Sequence, residues 1–176
     1  LISTNYLKDV LLQLRMLKEL AEKSLDQVSD TSFFHILGPE SNSIAIIVKH
    51  IAGNMLSRWT DFLTSDGEKP NRFRDTEFEL AANDSREVIV ARWQEGWKTL
   101  LDSIESLKPD DLNRIVTIRS EPHNVIEAIN RQLSHYAYHV GQIAYLARHF
   151  AGDKWQTLSI PKGKTDEFNR HMRDKF

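Results

Sequence analysis

The chain has 176 residues, 23 basic and 25 acidic side chains, a formal net charge of −2 and no cysteine. That length is about one domain's worth, able to bury a core without staples. The balanced charge advertises no polyanion-binding face, so nucleic acid is not an expected partner, and the missing thiols exclude disulfide frameworks, thiolate metal sites and cysteine nucleophiles together.

The chain begins LISTNYLKD, with no basic segment ahead of an apolar one, and no run approaches the roughly 18 apolar residues that cross a bilayer. The cytoplasm is the expected compartment, and a membrane is not an expected partner. From Ser3 or Thr4, the residues Tyr6, Val10, Leu14, Leu17, Ala21, Leu25 and Val28 recur at three- and four-residue steps and predict a long first helix. The segment from Asn42 to Leu63 predicts a second, with Asn42 or Ser43 as N-cap and Ile44, Val48, Ile51, Met55, Trp59 and Phe62 on one stripe. Residues 64–83 are polar and marked by Gly67 and Pro70. A loop this long inside a compact domain is expected either to move or to cover something.

A capping box at Asp84, with Glu87 three residues on, opens a third helix through Val90, Trp93, Trp97, Leu100, Leu101 and Ile104, which Pro109 stops. RIVTIRSEPHN, residues 114–124, alternates with period two and then turns at Ser-Glu-Pro, predicting a small β-hairpin. Asn124 is expected to cap the fourth helix, which runs through Val125, Ile129, Leu133, Tyr136, Val140, Ile143 and Ala147 and ends before Gly152. TDEFNRHMRDKF predicts a short helix in the tail. The fold class is all-α: one domain over residues 1–176, a four-helix bundle with a long crossover loop, a small hairpin before the fourth helix and a C-terminal tail helix.

Helical geometry places the histidines. At 100° per residue from Val125, the fourth helix's apolar stripe centres near 40°, and His135 and His139 fall near 280° and 320°, on its shoulder. Four-residue spacing stacks their rings about 6 Å apart at Cβ, within reach of one cation. In the second helix IAIIVKHIAG is apolar on nearly every side, so His50 is expected to be buried and to need a partner. Gly53 and Ala52 would let a neighbouring helix approach. Three imidazoles from His50, His135 and His139 would leave coordination positions open, as in catalytic metal sites. The alternative is that these histidines hydrogen-bond between helices as buried polar contacts.

Other residues lie along the same faces. Arg131, one turn before His135, could bind a carboxylate or orient a neighbouring group, and Asn54 or Gln142 could hold a metal-bound water. His123 could be a turn residue or line the mouth of a site. His35, His149 and His171 fit surface or capping roles, and the four tryptophans read as core or, for Trp155, as a docking contact in the tail. No protein general base stands out.

The stretches SNSIAIIVKHIAGNMLSRWTDFLTSDGEKP, VTIRSEPHNVIEAINRQLSHYAYHVGQI and WQTLSIPKG together resemble a sub-branch of the DinB superfamily of metal-binding four-helix bundles, over nearly the whole chain. The resemblance implies that His50, His135 and His139 correspond to that superfamily's three-histidine site, which holds zinc, nickel or a similar divalent ion. It also implies a homodimer. Its relatives include S-transferases that use bacillithiol, mycothiol or glutathione, a mycothiol-dependent isomerase, and metal-dependent hydrolases. A small-molecule thiol and an electrophile are therefore the implied partners, with a divalent metal lowering the pKa of a bound thiol or water. A hydrolase and a non-catalytic bundle that binds a small molecule or a partner are the competing expectations.

Overall fold

Most of the expected helices start where a side chain closes their first turn. In the computed structural model, which describes residues 1–175, the Ser43 hydroxyl accepts from the Ile46 amide at 3.2 Å and opens a helix over Ile44–Trp59. Numbered in chain order, the helices are α1 (Ile2–Leu25), α2 (Asp30–Phe34), α3 (Ile44–Trp59), α4 (Arg86–Ser106), α5 (Val125–Ala151) and α6 (Thr165–Lys175). A two-stranded antiparallel sheet, β1 (Ile115–Ile118) and β2 (Glu121–Asn124), precedes α5. The protein is thus mostly helical with one small sheet. Phe176, the last residue of the expected tail helix, lies outside the described residues.

Several boundaries differ from expectation for local reasons. The first helix starts at Ile2 without a side-chain cap and stops at Leu25, because the Gln27 and Val28 amides close a tighter turn onto Ser24 and Leu25 and Ser29 then caps α2. The second ends at Trp59, not Leu63: Thr60 is extended, Asp61 takes a positive φ of 49°, and its carbonyl accepts from Thr64 and Ser65. Ser85, not Asp84, caps α4, accepting from the Val88 amide. Asp84 instead pairs with Lys49 at 2.7 Å. The hairpin reverses at Arg119 and Ser120, with φ of 55° and 64°, and not at Ser-Glu-Pro; two positive φ values make the tight turn that suits strand twist. Asn124 caps α5 as expected, in a reciprocal box with Glu127. Gly152, with φ 54°, ends that helix in a conformation a side chain would resist.

One apolar cluster joins the long helices. Helix α3 packs against α4 and α5, and α1 packs against α5 and α4. Leu14, Phe33, Ile51, Met55, Trp93, Trp97, Tyr136 and Ile143 are buried at its centre. Helix α3 is buried on nearly every side, as its composition predicts, and it carries His50 into the interior at 4 % exposure. Gly96 of α4 lets this packing close up, since a Cβ there would stand 3.2 Å from Ala52 O and Met55 Cβ. No helix among the described residues is long and apolar enough to cross a membrane.

Candidate metal centre

His50 from α3 meets His135 and His139 from α5 at the edge of the core. The His50 and His135 Nε2 atoms are 3.4 Å apart, and those of His139 and His135 are 3.1 Å apart. Two ligands of a tetrahedral ion at about 2.0–2.1 Å stand about 3.3 Å from one another, so the spacing suits one small divalent ion. Ligand atoms of all three residues lie within 4.8 Å of one another, and the group could hold a metal ion.

The other ring nitrogens fix which atoms point inwards. The His50 Nδ1–H donates to Glu77 Oε2 at 2.9 Å, and the His139 Nδ1–H donates to Gln142 Oε1 at 2.8 Å, because neither oxygen can itself donate. Both Nε2 lone pairs therefore face His135. A proton on His135 Nε2 can satisfy only one of them, and His135 Nδ1 is buried with no hydrogen-bond partner in either tautomer. An added proton on His135 or His139 is disfavoured as well. Burial first, then the neighbouring His139, His50, Arg58 and Arg72, pulls the His135 imidazolium down to about 3. Burial likewise lowers His139, against the bond to Gln142. Three imidazoles converging on one point, two of them pushed towards the neutral form by burial, make a donor set for a divalent cation.

Glu77 is the residue that sequence reasoning missed. It sits in a short 3-10 turn, Arg74–Phe78, within the long loop, and it is buried against α3. Arg72 donates to both its oxygens at 2.8 Å, a bidentate pair. Burial raises the carboxyl, but the bonds from His50 and Arg72 and the Arg72 charge outweigh it and hold Glu77 below the usual carboxylate range. Gly53 makes room for this carboxylate and not for a neighbouring helix: a Cβ there would lie 2.2 Å from Glu77 Oε1. The interior glycine of α3 is the one signal the sequence offers for this carboxylate, while the close helix approach expected at Gly53 and Ala52 occurs at Ala52, against Gly96 of α4.

The remaining candidates divide. Gln142 orients His139. Asn54, 5 % exposed, accepts from the Tyr136 hydroxyl at 3.0 Å, and that oxygen accepts from Trp59 Nε1 at 2.9 Å. His123 lies in β2 opposite Val116, outside the turn, with Nε2 3.2 Å from Arg131 and 3.3 Å from Glu121. Arg131 also pairs with Glu121 at 3.2 Å, and it joins His50, Asn54 and His135 around a pocket of about 200 Å³. The structure therefore places Arg131 beside the cluster and His123 against Arg131, outside the pocket lining. His35 stacks edge-on against Phe150, apart from the cluster.

A mostly helical protein with three converging imidazoles, one backed by a buried carboxylate, is a candidate metal-binding protein. The chain belongs to the family described as "Protein of unknown function (DUF1572)", whose sequence profile matches residues 1–164. No curated protein matches it.

Proposed function

We propose that this chain is a DinB-type four-helix bundle in which His50, His135 and His139 bind a divalent ion, zinc or nickel, and that it transfers a low-molecular-weight thiol to an electrophile. The observation that carries this reading is the convergence of three imidazoles, with His50 held by Glu77 and His139 by Gln142. A divalent ion would supply Lewis acidity there, making a thiol or a water nucleophilic near neutral pH. The protein's own residues aim the imidazoles, burial holds His135 and His139 in the neutral form, and the pocket beside His50 and His135 is left for reactants. With no cysteine in the chain, the thiol must come from a small molecule. A homodimer belongs to the same proposal, and sedimentation at several concentrations tests it.

Elemental analysis of protein purified without an affinity tag tests the metal. About one zinc or nickel per chain is expected, with most of it lost in His135→Ala; equal metal in both proteins sinks the site and leaves the histidines as structural contacts. Thiol consumption with a generic electrophile then tests the reaction. Activity should vanish with chelator and return with metal, whereas turnover indifferent to chelation contradicts the mechanism. Chelator-sensitive hydrolysis that needs no thiol would assign the centre to the second reaction class.

A further inference from the structure

The pocket beside the histidine cluster is lined by five arginines, Arg58, Arg72, Arg74, Arg119 and Arg131, and by no aspartate or glutamate. Its remaining lining is His50, His135, Asn54 and Gln132. The carboxylates that pair with these arginines stand outside the lining, and they are too few to answer each one separately. Glu68 is shared by Arg58 at 2.9 Å and by Arg72 and Arg119 at 3.3 Å. Glu77 serves Arg72 and His50, Glu121 serves Arg131 from a 64 % exposed position, and Asp75 lies 3.8 Å from Arg74 while fully exposed.

The arginines form two groups. The side chains of Arg58 and Arg72 are 6 % and 5 % exposed, held by the loop carboxylates, and Arg58 Nε is buried without a hydrogen-bond partner. Arg74, Arg119 and Arg131 are about half exposed, so their guanidinium groups can turn towards a ligand. Gathering five guanidinium groups around one small space costs self-repulsion, which surface solvation alone does not explain for the buried pair. Planar guanidinium forks match carboxylate and phosphate oxygens two at a time. A volume of about 200 Å³ admits such a group, or the anionic end of a longer molecule, and excludes a bulky apolar ligand.

We propose that this pocket is an oxyanion subsite, which binds a carboxylate or phosphate group of the substrate and presents the adjoining part of that molecule to the three-histidine cluster. Anion binding stands on the arginines alone; the presentation to a reactive centre rests on the metal reading above. His50 and His135 belong to both places, so a ligand anchored by the arginines is carried against the imidazoles.

Calorimetric titration of untagged full-length protein tests the subsite, with inorganic phosphate and malonate as probes at low ionic strength. The chelator-treated protein is titrated first, so that anion binding to a metal is not counted. Saturable binding of at least one probe is expected, weakened ten-fold or more in Arg119→Gln/Arg131→Gln and unchanged in Arg15→Gln, an exposed arginine of α1. Tighter phosphate points to phosphate esters as substrates, and tighter malonate to carboxylic acids. No saturable binding of either probe, or equal affinity in wild type and double variant, overturns the proposal. Zinc content is measured on the same samples. Anion binding lost in the double variant while the wild type takes no zinc would leave the subsite standing and remove the metal; zinc bound without anion affinity would do the reverse.

Discussion

Glu77 joins three groups at one carboxylate: His50 Nδ1 at 2.9 Å and the two nitrogens of Arg72 at 2.8 Å. Replacing it with glutamine keeps an acceptor for His50 but removes the charge that strengthens the imidazole as a ligand and pairs with Arg72. Zinc affinity, measured by competition with a chelating dye, is expected to fall about 10- to 100-fold in Glu77→Gln, with helicity retained. An unchanged affinity would show that the carboxylate does not act on the metal. Gly53→Ala should weaken zinc binding in the same direction, since the new methyl would stand where Glu77 Oε1 now lies. The same residues show what the sequence makes legible. His50 could be singled out because a polar side chain in an all-apolar turn must have a partner. Glu77 could not, because Asp75 and Glu79 flank it in a polar loop and only tertiary packing buries one of the three.

At the scale of elements, the hairpin and the long loop hold each other in place. Asp66 accepts from the backbone amides of Arg119 at 2.9 Å, Ser120 at 2.8 Å and Glu68 at 2.7 Å, and Gly67 N–H donates to Thr117 O at 2.8 Å. These bonds compensate two non-glycine residues held at positive φ, each of which costs about 1 kcal/mol or more. The hairpin's alternation was readable, but its turn was not, because neither Arg119 nor Ser120 is a residue that favours this backbone unaided. Partial burial raises the Asp66 carboxyl, but the backbone bonds and Thr117 more than offset it and bring it to about 2. An unfolded aspartate titrates near 3.9, so the folded state binds its proton more weakly. The resulting stability is present above about pH 4 and is lost as pH falls towards 2. Asp66→Asn is therefore expected to lower stability by about 1 kcal/mol at pH 7. Urea melts from pH 6 down to pH 3 should show the gap to wild type constant at first and narrowing below pH 4. A gap that widens on acidification would contradict this assignment.

For the molecule as a whole, the three histidines, together with the Trp59–Tyr136–Asn54 hydrogen bonds, link α3 to α5 beside buried Ile51, Met55 and Val140. Stripe and cap patterns made the four long helices legible, since α1, α4 and α5 each bury one face against the common core and α3 is apolar on nearly every side. The folding of the 64–83 loop onto that core was not legible, because its anchors are ion pairs and backbone bonds without sequence period. Metal at the cluster would bind the folded chain and not the unfolded one, where His135 and His139 are 85 and 89 residues from His50 in sequence. A ligand at a hundred times its dissociation constant stabilises the folded state by about 2.7 kcal/mol. For a chain of this length that corresponds to a rise in melting temperature of roughly 5–10 °C. Zinc added to chelator-treated protein is expected to produce such a rise in wild type and in His171→Ala, and little or none in His139→Ala. The His171 variant matters because His35, His123, His149 and His171 offer other imidazoles for loose binding. A rise that survives in His139→Ala would locate the zinc elsewhere, and its loss there alone would tie the stability of the helix assembly to the three converging nitrogens.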